Sequence, residues 1–274
     1  MTTPDITPFL LEDLGTGDLT AQLIPANTQA TAKVITREDM VLCGTAWFNA
    51  VFAYLNPELM IHWHIDEGAS VSANTLLCTL SGNARALLTG ERTALNLLQT
   101  LSATATVSRR YAQAVAGTTC KVLDTRKTIP SLRAAQKYAV VCGGCHNHRM
   151  GLYDAILIKE NHIIAAGSIA KAVELARQQS NVSVEVEVEN LDEYKQALSA
   201  KPNRIMLDNF SLEDLKTAVA LKTNTIELEA SGNIDLDTIK TVAQTGVDFI
   251  SIGALTKNIQ AIDLSMRIEL VNNG

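Results

Sequence analysis

The chain contains no uninterrupted apolar run approaching the ~18 residues that a membrane-crossing helix needs, so no such helix is expected. Its opening stretch, Met1 to Asp18, carries acids where a secretory signal would carry a basic segment followed by apolar residues. Cysteine is sparse, odd in number and scattered: five in 274 residues. That speaks against a disulfide framework and for reduced thiols in a cytoplasmic setting. Positive charge is in deficit, with a formal total of −6, which excludes a general nucleic-acid or membrane surface. No Pro- or Ser-rich linker, internal repeat or low-complexity segment interrupts the chain.

What is present suffices for a large core. Hydrophobic residues make up 47% of the chain, and the 19% that are charged are too few for a disordered one. The length admits one large domain or two modest ones. Charge is unevenly spread. From Lys121 to His162 there are seven Lys or Arg against three acids, a local balance of +4 in an acidic protein. A compact basic island suggests one anion-binding site rather than a track for a polymer, the alternative being an ordinary solvated face.

From about Thr118 to Ala254 one theme repeats: a short β-branched run, a polar stop, then a helical pattern. Strands are expected at Lys121–Leu123, Ala155–Ile158, Val182–Val188, Arg204–Leu207, Thr225–Leu228 and Phe249–Ile252. Helices are expected at Leu132–Val141, Ile169–Gln178, Leu191–Leu198, Leu212–Leu221 and Leu236–Gln244. Ser168 and Ser211 have the form of helix N-caps, the latter with Asp214 completing a capping box, and Gly246 sits where a left-handed C′ residue belongs. Strand starts roughly 20 to 35 residues apart imply βα units and parallel strands. Six units are fewer than the eight of a full barrel, and a doubly wound sheet fits the same count. The strand ends favour the barrel. Charged or polar residues follow five of them, whereas an open sheet concentrates its chemistry at one switch point. The expected fold is thus α/β, an incomplete α/β barrel over residues 116–259. It follows an α+β domain over 1–115, with strands at Gln29–Thr36, Met60–Ile65 and Thr75–Leu80 and a long helix at Glu91–Val115. The tail, 260–274, is expected to pack on the first domain.

At the first barrel strand, Leu123-Asp124-Thr125-Arg126-Lys127 presents a guanidinium fork suited to a carboxylate or phosphate and, beside it, a point charge. Cys142-Gly143-Gly144-Cys145-His146-Asn147-His148-Arg149 places a Gly pair before a His-Arg pair, and Lys159-Glu160-Asn161-His162 follows the next strand. Glycines permit close backbone approach to an anion. These cations outnumber the acids available to neutralise them.

With these residues in view, the chain resembles the quinolinate phosphoribosyltransferases (nicotinate-nucleotide pyrophosphorylases, carboxylating) of the bacterial NAD pathway. The resemblance runs through Glu12–Gly15, Thr89–Asn96, Asp124–Thr128, Asn147–Gly151, Leu157–His162, Glu185–Asn190, Met206–Asn209, Glu229–Asn233 and Ser251–Lys257. It implies the incomplete barrel of type II phosphoribosyltransferases and a homodimer with sites at the interface. It also implies transfer of phosphoribose from phosphoribosyl pyrophosphate to quinolinate, with release of pyrophosphate and CO2 and a need for Mg2+. By motif, Arg126, His148, Arg149 and Lys159 correspond to quinolinate contacts, and Arg92 to one supplied across the interface. Lys127 would serve the sugar-phosphate side. Glu187 and Asp208 match acids near the ribose, with Glu189 the competing choice because the alternating run leaves the register open by two. Ser231-Gly232-Asn233 and Ile252-Gly253-Ala254 would hold the 5′-phosphate with backbone N–H groups. Cys145, Ser131 and Ala103 stand where the family often has glycine. If Cys145 needed φ > 0, its Cβ would cost roughly 1 kcal/mol or more.

Other readings of these motifs are weaker. Cys142-x-x-Cys145 lacks the second ligand pair of a structural zinc site, and Cys142 reads better as the end of a buried helix. His62 and His64, two apart on one strand face, read as surface packing. A related transferase with another acceptor, such as the molybdenum-operon relatives, is disfavoured by retention of Arg92, Arg126, Arg149 and Lys159. A non-catalytic phosphosugar-binding protein is disfavoured by retention of Glu187 and Asp208.

Overall fold

Alternation of small apolar and polar residues in Gln29–Thr36 makes this segment a strand with one buried face, and Ala30, Ala32 and Val34 are indeed its inward residues. The computed structural model describes residues 4–223 and 225–271. It divides into two compact units, 1–107 with 259–274, and 108–258, so the division falls within the long helix, earlier than the expected 115/116 boundary.

The first unit runs α1 (Thr7–Leu14), β1 (Gln29–Thr36), β2 (Met40–Val41), α2 (Thr45–Leu55), β3 (Met60–Trp63), β4 (Ser70–Val71), β5 (Leu76–Asn83) and most of α3 (Ala84–Ala114). Helix α2, which the sequence did not suggest, buries Phe48, Val51 and Phe52, and Phe48 meets Trp63 edge-on at 5.3 Å. Gly90 lets α3 lie against α2, for a Cβ there would come within 2.7 Å of the Phe52 ring. The tail forms β12 (Leu264–Leu270), antiparallel to β1 in a four-stranded sheet of order β12-β1-β5-β3.

The second unit runs β6 (Lys121–Leu123), α4 (Arg133–Cys142), β7 (Ile156–Ile158), α5 (Glu160–Ala166), α6 (Ile169–Gln179), β8 (Val184–Val188), α7 (Leu191–Ala200), β9 (Arg204–Asp208), α8 (Leu212–Leu221), β10 (Glu227–Ser231), α9 (Ile239–Ala243), β11 (Phe249–Ser251) and α10 (Ala254–Lys257). Its six strands are parallel, in the order β6-β11-β10-β9-β8-β7. This is cyclic order: each strand from β7 to β11 neighbours the next, and β11 then pairs with β6. A doubly wound sheet would reverse direction at a switch point. The structure is therefore an incomplete α/β barrel, with no ladder joining β6 to β7 among the described residues. A single parallel bridge, Leu123 to His146, extends the β6 side.

Several elements moved from their expected places, α3 among them, which begins at Ala84 rather than Glu91. Strand β10 is Glu227–Ser231 rather than 225–228, which puts Glu229 mid-strand and fully buried instead of at the strand end. Helix α9 starts only at Ile239, because the Asp235 carboxylate accepts from the Asp237 and Thr238 backbone N–H groups and holds 235–238 as a turn. Ser168 and Ser211 do cap α6 and α8, accepting from Lys171 and Asp214 N–H. Gly246 is left-handed, with φ 96°.

Candidate active site

The C-terminal ends of the barrel strands present the chemistry. Beneath the loop after β6, Asp124 and Lys137 form an ion pair in which neither side chain is exposed. Asp124 also accepts from His148 N–H at 2.8 Å, and Lys137 donates to the His148 carbonyl at 2.8 Å. The pair thus fixes the backbone that presents His148 and Arg149. Burial acts against both charges, raising the Asp124 pKa and lowering that of Lys137. Nothing in the sequence distinguishes Lys137 from a solvent-facing helical lysine.

A second anchor was also missed. Gln136 Nε2 donates to the Thr256 carbonyl at 2.8 Å, its Oε1 accepts from Ile129 N–H at 2.8 Å, and the Thr256 hydroxyl donates to the Lys127 carbonyl at 2.8 Å. These bonds tie the Arg126–Ile129 loop to α10. Lys127 consequently lies over Gly253, where an added Cβ would meet Lys127 Cδ at 3.1 Å. Lys127 and the Ile252-Gly253-Ala254 segment are thereby brought together.

Arg126 and Arg149 converge: the Arg149 guanidinium is disfavoured first by burial and then by the charge of Arg126. Arg149 donates to the Ala155 carbonyl at 3.1 Å, and Arg126 Nε is buried without a hydrogen-bond partner among the described residues. Lys159 Nζ lies 2.5 Å from Glu187 Oε2. Glu189, by contrast, is exposed beyond the end of β8, and its N–H donates to Glu193 at the start of α7. Of the two candidate glutamates, Glu187 is the one paired with a cation of the site, Lys159.

His148 is turned differently from the three other cation-side residues. Its Nδ1 accepts from Arg149 N–H at 2.8 Å, which places the proton of the neutral ring on Nε2. That nitrogen lies 2.9 Å from Glu185 Oε2 and 3.6 Å from Glu229 Oε2, in poor hydrogen-bond alignment. Burial keeps the ring's pKa below the usual value, while burial first, and mutual charge second for Glu229, raises both carboxyls to about 7. Arg204 completes the layer, donating to Glu229 and Glu227 at 3.0 Å each and stacking 4.0 Å over Phe249. Its position was legible in principle, since Arg204, Met206 and Asp208 share the parity of inward-facing residues in β9.

Asp208 ends β9 and is paired to Ser231, which ends β10; Gly232 and Asn233 follow in the turn beyond it. Arg92 belongs to the first unit and is exposed on α3, with no hydrogen bond or ion pair among the described residues.

The "Quinolinate phosphoribosyl transferase, N-terminal domain" model matches residues 18–102 and the corresponding C-terminal domain model residues 104–267. The chain belongs to the quinolinate phosphoribosyltransferase family. A probable nicotinate-nucleotide pyrophosphorylase (carboxylating) of Synechocystis is 42% identical over 97% of this chain and 92% of its own. A probable enzyme of the same name from Bacillus subtilis is 40% identical over 97% and 93%. The solved nicotinate-nucleotide pyrophosphorylase of Francisella tularensis superposes with a TM-score of 0.93 at 51% identity, covering 97% of this chain and 95% of that one. As a quinolinate phosphoribosyltransferase, the chain departs at Ser131, Cys145 and Ala103 from glycines the resemblance suggested. Ser131 adopts φ 62°, a conformation glycine takes freely. Cys145 does not share it: Gly144 provides the left-handed turn at φ 96°, and the Cys145 thiol donates to the Ser108 carbonyl at 3.1 Å. Ala103 is simply buried in α3.

Proposed function

We propose that this barrel mouth carries out the reaction of its family. Phosphoribose passes from phosphoribosyl pyrophosphate to the quinolinate nitrogen, with decarboxylation, giving nicotinate mononucleotide, pyrophosphate and CO2 in de novo NAD biosynthesis. The observation that carries the reading is the Lys159–Glu187 ion pair and the mutual influence of Arg126 and Arg149, with Asp208 and the Ser231–Asn233 turn at the neighbouring ends of β9 and β10. A pyridine dicarboxylate needs cations; a developing ribosyl cation needs anions.

Arg126, Arg149 and Lys159 take the two carboxylates, with His148 beneath them joining Arg149 to the buried acids. Only the carboxylate beside the ring nitrogen leaves. It does so once ribosylation has made that nitrogen cationic, so that the ring stabilises the electron pair left behind until that carbon takes a proton from water. Holding the departing group as tightly in the ground state as in the transition state would gain no rate, so these cations serve chiefly to bind and orient. Glu187 and Asp208 face the ribose and stabilise positive charge at its anomeric carbon. Lys127 and the N–H groups of the Ser231–Asn233 turn, Gly253 and Ala254 hold the phosphates; Ile252, expected among them, instead donates its N–H to the Leu123 carbonyl at 2.9 Å, a bond of the barrel ladder. The Lys159–Glu187 ion pair marks the border between the two substrate halves.

Mg2+ is proposed to enter with the pyrophosphate. It takes oxygen ligands and commonly one or two carboxylates plus substrate phosphates. Glu187 and Asp208 fit, being part-exposed carboxylates on neighbouring strands, and among the described residues only one Asp208 oxygen is bonded, to Asn209. The ion would neutralise charge on the leaving pyrophosphate. A homodimer in a cytoplasmic setting is also proposed, with Arg92 reaching the partner's quinolinate site. Among the described residues no helix is long and apolar enough to cross a membrane.

Arg149→Ala and Asp208→Ala test the division of labour. Loss of one buried charge-assisted contact costs about 2–4 kcal/mol, roughly 30- to 1,000-fold. Direct binding should assign the Arg149→Ala loss to quinolinate affinity. Single-turnover release of labelled CO2 should assign the Asp208→Ala loss to the chemical step. The reverse pattern would overturn the assignment.

A further inference from the structure

Asn209 follows β9 directly and uses each end of its amide. Its Nδ2 donates to Asp208 Oδ2 at 2.9 Å, and its Oδ1 accepts from Asn233 Nδ2 at 3.1 Å. Its own N–H donates to the Ser231 carbonyl at 2.8 Å, continuing the β9–β10 ladder one bond past the strand ends. Among the described residues it is the only side chain bonded to both Asp208 and the Ser231–Asn233 turn.

The backbone there is unusual on both strands. Asn209 has φ 55°, Gly232 φ 94° and Asn233 φ 49°, so three left-handed residues meet at adjoining strand ends. Asparagine is among the few residues with a side chain that tolerate this region. Gly232 has a second constraint. A Cβ on it would fall 2.2 Å from Asn209 Oδ1 and 2.9 Å from Asn209 N, so the turn closes directly over the asparagine. Asn209 and Gly232 therefore specify each other: a side chain at 232 would expel the amide that links the strands.

We propose that Asn209 is a positioning residue for the phosphoribosyl donor, setting the separation between the carboxylate of Asp208 and the phosphate-holding turn at Ser231–Asn233. The inference rests on the function assigned above, in which those two groups grip opposite ends of one ribose 5-phosphate moiety. Aspartate at 209 would still accept from Asn233 but would place an anion against Asp208. Glycine would keep the left-handed backbone and lose both bonds.

The test is equilibrium binding of ribose 5-phosphate, inorganic phosphate, phosphoribosyl pyrophosphate with Mg2+, and quinolinate to wild type, Asn209→Gly and Asn209→Asp. Steady-state constants and thermal unfolding are measured alongside. Asn209→Gly should weaken ribose 5-phosphate and phosphoribosyl pyrophosphate about 10- to 100-fold, with inorganic phosphate and quinolinate changed less than about threefold. The KM for phosphoribosyl pyrophosphate should rise correspondingly. Asn209→Asp should lose more, and should regain affinity as the pH falls far enough to protonate the introduced acid. Equal weakening of all four ligands in step with a lowered Tm would overturn the proposal, as would unchanged donor binding in folded Asn209→Gly. A wild-type chain that binds donor yet never consumes quinolinate would refute the assigned reaction instead, while donor binding would still decide the role of Asn209.

Discussion

Asp124 and Lys137 are paired with neither side chain exposed, and together they hold the His148 peptide from both its N–H and its carbonyl. Desolvation opposes both charges, so the pair supports its loop only while it is intact. Lys137→Met should cost about 3–5 kcal/mol in urea unfolding, because it strands a buried carboxylate. Asp124→Asn with Lys137→Met should recover part of that. If the single change costs no more than the double, the pair is not coupled as described.

Glu185 and Glu229 make folding pH-dependent. Burial raises both carboxyls to about 7, against about 4.3 for glutamate in an unfolded chain. Between those values the folded protein holds protons that the unfolded chain has released, so stability falls as pH rises and the loss is complete above the folded pKa. Glu229→Gln removes one of two coupled groups. Its stability relative to wild type should therefore increase from about pH 5 to about pH 8, by on the order of 2 kcal/mol. A difference independent of pH would contradict the raised values.

Ser131 is an exposed serine in a left-handed conformation, φ 62°. Ser131→Gly should stabilise the protein by about 0.5–1 kcal/mol, the relief of Cβ strain being partly offset by the freer unfolded chain. A lower urea midpoint would show that serine makes a compensating interaction.

Parity and spacing made much of this barrel legible. The β-branched runs located all six strands, and the strand-end charges separated a barrel from an open sheet. Periodicity could not resolve the Glu187–Glu189 register; the Lys159 contact distinguishes them in space. The shift of β10 that buries Glu229, the return of β12 to β1 and the anchoring by Lys137 and Gln136 all depend on partners far away in sequence. Local pattern carries no trace of them. The two-ended role of Asn209 is likewise invisible until β9 and β10 are adjacent.

If Arg92 acts across a dimer interface, complementation should reveal it. Arg92→Ala and Arg126→Ala homodimers should each be inactive. In a heterodimer, one site combines an intact Arg126 with an intact Arg92 from the other subunit. Random reassociation should restore about a quarter of wild-type activity, half the dimers each having one working site of two. Mixtures as inactive as the parents would place Arg92 within its own chain or outside catalysis.

The most direct test of the assigned function is quinolinate consumption by purified protein, followed with carboxyl-labelled substrate. The account predicts stoichiometric labelled CO2 and nicotinate mononucleotide only when phosphoribosyl pyrophosphate and Mg2+ are both supplied. Consumption without phosphoribosyl pyrophosphate, or none with every component present, would contradict it.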